Sequence, residues 1–233
     1  MTATINPRMA ILPPRQRALW ASLRGVTSLG FTLYGGTAIA LQLGHRASVD
    51  FDFFTSKPVD PFTLANDLPD LLGNATTLQS ERNTLTVSAI APGHTDGVKL
   101  SFFGGLPWAT PQRAHATNDG VLRVACLEDL MATKLVVIQK RVEVKDYLDI
   151  AAMLNARVDL SRGLARARDM YGSIFQPAES LKAMVYFQEG DFDALSAANR
   201  STLIGAARSV QTIERPSQPE TQTPPPPRRG WRR

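Results

Sequence analysis

Asp50 and Asp52 stand two residues apart inside the apolar run VDFDFF of this 233-residue chain. If the run is a strand, successive side chains point to opposite faces, so Val49, Phe51 and Phe53 lie on one side and both carboxylates on the other. Residues at that spacing are about 6.6 Å apart along the backbone. Their carboxylates can therefore converge on one or two hard cations such as Mg2+. Counting backwards puts Arg46 and Ser48 on the same polar face, an anion-binding neighbour for the cation site. Aspartate is disfavoured in strands, and here two of them interrupt a Val/Phe run. The plainer alternative is a half-buried strand with an acidic solvent face.

The residues just upstream favour the chemical reading. Residues 31–34 read as a short strand, Gly35 and Gly36 permit a tight turn with close backbone approach, and Thr37 can begin a helix that runs through Leu43. Free amides at such a helix start attract phosphate. Gly44 then supplies a helix end. Strand, glycine pair, short helix and acidic strand form the layout of a nucleotide-and-metal site.

A second group lies downstream. Leu127, Leu130, Met131, Leu135 and Ile138 mark one helical face, and Lys134 falls inside that stripe. A lysine there either snorkels to the surface or reaches into a cleft to neutralise phosphate. In the next helix Tyr147, Leu148, Ala151 and Leu154 form the buried face, with Asp146 and Asp149 one turn apart on a shared side. By spacing alone these two belong to a solvated face, with a Lys145–Asp149 pair worth a few tenths of a kcal/mol.

Gly35-Gly36, thirteen intervening residues and then Asp50-Phe51-Asp52-Phe53 resemble the signature of the DNA polymerase beta-type nucleotidyltransferase superfamily. Within it, GGTAIALQLGHRASVDFDFF is similar to the AbiEii/AbiGii toxin family, the toxin halves of abortive-infection toxin-antitoxin pairs. LEDLMATKLVVIQKR followed by KDYLDIAAML resembles that family's helical lysine motif and its R...KDxxD motif. The resemblance spans roughly residues 25–195. It implies that Gly35, Gly36, Thr37, Arg46, Ser48 and Lys134 bind an NTP, that Asp50 and Asp52 hold Mg2+, and that Asp146 or Asp149 completes the site, Asp146 being favoured by its place in the KD step. It also implies a tRNA 3′ end as acceptor and a separately encoded antitoxin as partner.

One departure bears on mechanism. Superfamily members usually carry a third carboxylate on a later strand, and the candidate strand VKLSFF, residues 98–103, offers Lys99 and Ser101 instead. Asp96 is a possible substitute. Alternatively a carboxylate from the helical half serves, or the acceptor hydroxyl is activated without a third ligand. The alternatives to the toxin reading are transfer to a small molecule or a protein hydroxyl, and a catalytically inactive nucleotide-binding module.

Composition sets outer bounds. The single cysteine, Cys126, excludes an internal disulfide and fits a reducing cytoplasm. His45, His94 and His115 are scattered, with no zinc spacing and no Ser-His-Asp arrangement legible, and each reads as a surface or packing residue. No signal-peptide pattern and no bilayer-length apolar run is present, so a cytoplasmic protein without a membrane partner is expected. The net charge is +5, and residues 216–233, with four Arg against one Glu, hold three of those charges. The high pI is thus weak evidence for a nucleic-acid partner.

The expected architecture is α+β. A nucleotidyltransferase domain over residues 1–124 carries a small mixed sheet with flanking helices, and an all-helical domain follows over 125–212. Helices are expected at 16–24, 61–72, 127–141, 144–155, 160–171, 178–188 and 193–212, and strands at 78–90, 98–103 and 121–124, with a loop over 106–120. Arg162, Arg166 and Arg168 read as a solvated helix face that could offer charge to phosphate. The tail over 213–233 is too poor in apolar surface to order itself, its proline run being extended. Its arginines and Trp231 could contact phosphate and stack on bases.

Overall fold

The computed structural model describes residues 4–188 and 191–213. Eight strands form one mixed sheet: β1 (Thr4–Ile5), β2 (Thr32–Tyr34), β3 (Phe51–Phe54), β4 (Thr76–Glu81), β5 (Thr84–Ile90), β6 (Gly97–Phe103), β7 (Ala114–Thr117) and β8 (Arg123–Ala125), in the order β1-β7-β8-β2-β3-β6-β5-β4. The helices are α1 (Pro14–Leu19), α2 (Arg24–Ser28), α3 (Gly35–Leu43), α4 (Pro61–Asp67), α5 (Pro69–Leu72), α6 (Leu127–Val137), α7 (Val144–Asn155), α8 (Leu160–Tyr171), α9 (Pro177–Val185) and α10 (Ala197–Ser209). The α+β expectation holds, with helices alone among the described residues after Ala125 and a sheet larger than expected. Beyond Ile213 the tail lies outside the described residues.

The short central strands β2 and β3 pair antiparallel, Tyr34 opposite Asp52, and β3 pairs parallel with β6, Asp52 opposite Ser101. Alternation works as expected on the core side. Phe51 and Phe53 of β3 and Val98, Leu100 and Phe102 of β6 are fully buried, and the Phe53 and Phe102 rings stack at 5.3 Å. Apolar burial of this kind stabilises by roughly 25 cal/mol per Å2, which commits the other face of both strands to the polar side.

Strand β3 begins at Phe51, so Arg46 and Ser48 lie on irregular chain before it, and Val49 is 46% exposed and does not join the phenylalanines. The helix expected at 16–24 is broken by a 3-10 turn at Trp20–Leu23, where the buried Trp20 indole donates to Asp119 at 2.7 Å. That over 61–72 divides at Leu68, because Pro69 disfavours helical geometry in the residue before it and brings no N–H. Residues 78–90 form a hairpin, with Asn83 in the left-handed region at φ 62° and its side-chain carbonyl accepting from the Val59 amide. The loop over 106–120 contains β7, and residues 138–141 lie beyond α6.

Helix α3 packs on β2 and β3, and α6 and α7 pack on α3 and on each other. Gly44 ends α3 at φ 70°, as a helix-terminating glycine should. Helix α6 packs on α8 through Gly163, where a Cβ would come within 2.4 Å of Met131 Cγ. Asp159 and Ser196 cap α8 and α10 by accepting from the Arg162 and Asn199 amides. No helix among the described residues is long and apolar enough to cross a membrane.

Candidate active site

A cavity of about 480 Å3 opens between the polar face of β3 and β6, the start of α3, and the ends of α6 and α7. Gly35, Gly36, Arg46, Ser48, Asp50, Asp52 and Lys134 all line it, although Lys134 lies about a hundred residues beyond the glycines.

The glycine pair is required by contact. Gly35 sits at φ +71°, where side chains are disfavoured, and a Cβ there would fall 2.3 Å from Asp52 Oδ2. At Gly36 a Cβ would fall 2.3 Å from Arg46 Nη2. The helix start is thereby pressed against a carboxylate on one side and a guanidinium on the other. Thr37 is buried and outside the cavity lining. Its hydroxyl donates to the Asp50 carbonyl and is hydrogen-bonded with the Ser48 hydroxyl at 2.7 Å, which ties α3 to the chain entering β3.

Asp52 lies level with Ser101. Burial and then the neighbouring Asp50 charge raise the Asp52 carboxyl above its ordinary value, and Lys99, Lys134 and a Ser101 hydrogen bond offset part of this. A group so placed favours a bound cation. Asp50 and Asp52 both line the cavity, and two carboxylates there could hold a hard divalent ion. No cluster of three or more His, Cys, Asp or Glu suited to a metal occurs among the described residues. Asp96 lies before β6, 78% exposed and ion-paired with Arg15, away from the cavity lining.

Behind the cavity wall stands a charge network that spacing did not reveal. Asp146 and Asp149, read as a solvated face, are both fully buried. Lys134 Nζ lies 2.6 Å from Asp146 Oδ1 and 2.7 Å from Asp149 Oδ2, bridging the two. Arg46 donates in bidentate fashion to Asp149 at 2.7 and 2.9 Å, and His45 Nε2 meets the same carboxylate at 2.7 Å. Arg141, the arginine of the KDxxD motif, donates to Asp146 at 3.0 and 3.3 Å. Burial alone would raise the Asp149 carboxyl, but the His45 and Arg46 hydrogen bonds and the Lys134 charge outweigh it and hold it well below the usual carboxylate range. Asp146 is not part of the cavity lining, and its contacts are with the cations. The Lys145–Asp149 pair does not form, because Asp149 is buried and Lys145 meets Glu143 at 2.8 Å.

Sequence reasoning gave no cavity role to Lys99, Lys140, Arg141 or Lys145, which join Arg46 and Lys134 to make six cations against two carboxylates among the described lining residues. Phe54 and Phe103 add an aromatic floor. Alternation along β6 could have identified Lys99 and Phe103, which share the face of Ser101. His45 carried no local signal, since its partner is more than a hundred residues away. Arg166 turns inward to Asp129 at 2.8 Å and is not on a solvated face.

The family described as the nucleotidyl transferase AbiEii toxin of a Type IV toxin-antitoxin system matches residues 17–211. An uncharacterised protein of Aquifex aeolicus is 31% identical over 175 residues, covering 72% of this chain and 81% of its own. Two solved structures share the fold. The nucleotidyltransferase toxin MenT4 of Mycobacterium tuberculosis superposes with a TM-score of 0.58 at 13% identity, over 84% of this chain and 82% of that one. An H. pylori protein solved as a candidate nucleotidyltransferase gives 0.52 at 15% identity, over 83% and 92%. The chain belongs to the AbiEii family and is a nucleotidyltransferase of the toxin-antitoxin class.

Proposed function

We propose that this AbiEii-family toxin transfers a nucleoside monophosphate from an NTP to the 3′ end of tRNA, with Mg2+ as cofactor, and that a separately encoded antitoxin restrains it. The observation that carries the reading is the glycine turn pressed on the Asp52 carboxylate and faced, across the same cavity, by Lys134. Gly35, Gly36, Arg46, Ser48 and Lys134 receive the triphosphate, with Thr37 fixing the turn. Asp50 and Asp52 would hold the metal, which when bound would neutralise phosphate charge and lower the pKa of the attacking hydroxyl. The acceptor hydroxyl oxygen bonds to the α-phosphorus, the bond to the bridging oxygen of the β-phosphate breaks, pyrophosphate leaves, and the hydroxyl proton passes to solvent. Catalysis is then mainly positioning and charge stabilisation.

Asp146 and Asp149 act from behind the wall. Their geometry supports a positioning role, in which two buried carboxylates hold the Lys134 ammonium and the Arg46 and Arg141 guanidiniums at fixed places. With no acid at Ser101, Asp50 and Asp52 are the carboxylates presented to substrate. The cationic rim of Lys99, Lys140, Arg141 and Lys145 supports a polyanionic acceptor.

The test is to incubate the protein and its Asp52→Ala variant with Mg2+, each α-labelled NTP in turn and total tRNA. Label is expected on RNA with the wild type alone. Label on protein or on a small molecule would reject the tRNA acceptor, and activity retained by Asp52→Ala would reject the metal assignment.

A further inference from the structure

The face that β3 and β6 turn to the cavity carries charge or hydroxyl groups at Asp50, Asp52, Lys99 and Ser101, and then two half-buried aromatic rings, Phe54 and Phe103, at the next positions. Folding does not call for an aromatic at 103. The core side of β6 is already filled by Val98, Leu100 and Phe102, and Phe103 stands on the opposite side with Lys99 and Ser101.

The two rings differ in what they have free. Phe54 is stacked on Tyr34 at 4.8 Å and 13°, and meets Trp108 at 5.7 Å, so it is anchored from below. Phe103 has Phe54 as its one ring neighbour among the described residues, at 5.2 Å and 89°. In that edge-to-face arrangement at least one face of the Phe103 ring is left uncovered by any other ring of the described residues. Phe103 also lies two residues beyond Ser101, hence about 7 Å along the strand from the level of the Asp52 carboxylate. That is about the span of a ribose between a phosphate and its base.

We propose that Phe103, braced by Phe54, is the stacking platform for a nucleobase. The inference rests on the nucleotide reading above and deepens it by placing the base end of the cavity. Stacking on a π-face holds a base of any kind, because every base has one. The base belongs either to the incoming NTP or to the terminal nucleotide of the acceptor.

The test compares wild type with Phe103→Leu, which keeps apolar volume and loses the ring, and Phe103→Trp, which keeps a ring. Affinities for an NTP and for inorganic tripolyphosphate, each with Mg2+, are measured by calorimetry, and KM for tRNA by label transfer, with melting curves to confirm folding. For Phe103→Leu, NTP affinity is expected to fall roughly ten-fold or more, tripolyphosphate affinity to stay the same, and Phe103→Trp to behave as wild type. If NTP affinity is unchanged but the KM for tRNA rises, the stacked base is the acceptor's. If neither changes in a folded Phe103→Leu protein, or if tripolyphosphate affinity falls equally, the platform is refuted. Wild-type protein that binds neither NTP nor tripolyphosphate would instead remove the nucleotide reading and this inference with it.

Discussion

Replacing Asp149 by Asn keeps the side-chain shape and removes one negative charge from the place where three cationic or ionisable groups converge. Arg46, Lys134 and His45 each reach that carboxylate at 2.7 Å, and it is fully buried. Removing one partner from a buried ion pair costs about 3–5 kcal/mol. Asn retains one acceptor oxygen and Lys134 retains Asp146, so the lower end, about 3 kcal/mol, is expected. For a chain of this length each kcal/mol moves Tm by about 2–4 °C, which gives a fall of about 6–12 °C. Transfer activity should fall as well, because Arg46 and Lys134 lose their fixed positions.

The pH dependence of that difference separates charge from shape. The folded-state pKa of Asp149 lies below its unfolded value, so its contribution is fully present above about pH 4 and is lost as pH falls through the folded-state value. Melting curves of wild type and Asp149→Asn should therefore stay a constant distance apart from pH 8 to about pH 5 and converge below pH 4. A variant that melts within 2 °C of wild type at pH 7 would refute the argument. So would a gap that persists undiminished in acid, since the loss would then be one of packing.

Gly35→Ala forces a Cβ into the Asp52 carboxylate at a left-handed backbone position and should cost about 1–2 kcal/mol. It should also abolish transfer, and activity near wild type would show that the turn can relax without moving Asp52. Lys134→Met leaves Asp146 and Asp149 with one buried cation fewer, so both NTP affinity and Tm should fall. A variant that loses stability but binds Mg-NTP normally would confine Lys134 to a structural role. If tRNA is the acceptor, its binding should weaken steadily as salt rises, with a slope of log affinity against log salt that reports the phosphates contacted. A flat dependence would point to a small acceptor instead.

The sequence by itself determined the features that depend on neighbours along the chain. The strand, glycine pair, helix and glycine stop at 31–44, the alternation that sets Asp50 and Asp52 against Phe51 and Phe53, and the helices α7 and α8 all follow from local geometry and apolar period. It was less reliable where packing overrides propensity, as at the 3-10 turn of Trp20–Leu23, or where a turn lacks a strong signal, as at Asn83.

What only the tertiary structure decided is the state of the charges. With the buried face of α7 drawn through Tyr147, Leu148, Ala151 and Leu154, Asp146 and Asp149 fall on a solvated side, whereas the observed buried face takes in Ile150 and Met153, one turn beyond each of them, and leaves Leu148 and Leu154 only partly buried. Their burial is matched by partners: Arg46 and His45, more than a hundred residues earlier, meet Asp149, Arg141 meets Asp146, and Lys134 on the preceding helix meets both. The same packing brings Lys99, Phe103 and Lys134 to one cavity with Gly35 and Asp52. A buried charge is tolerable only with its partners in place, and those partners are assembled by long-range contacts that no local pattern encodes.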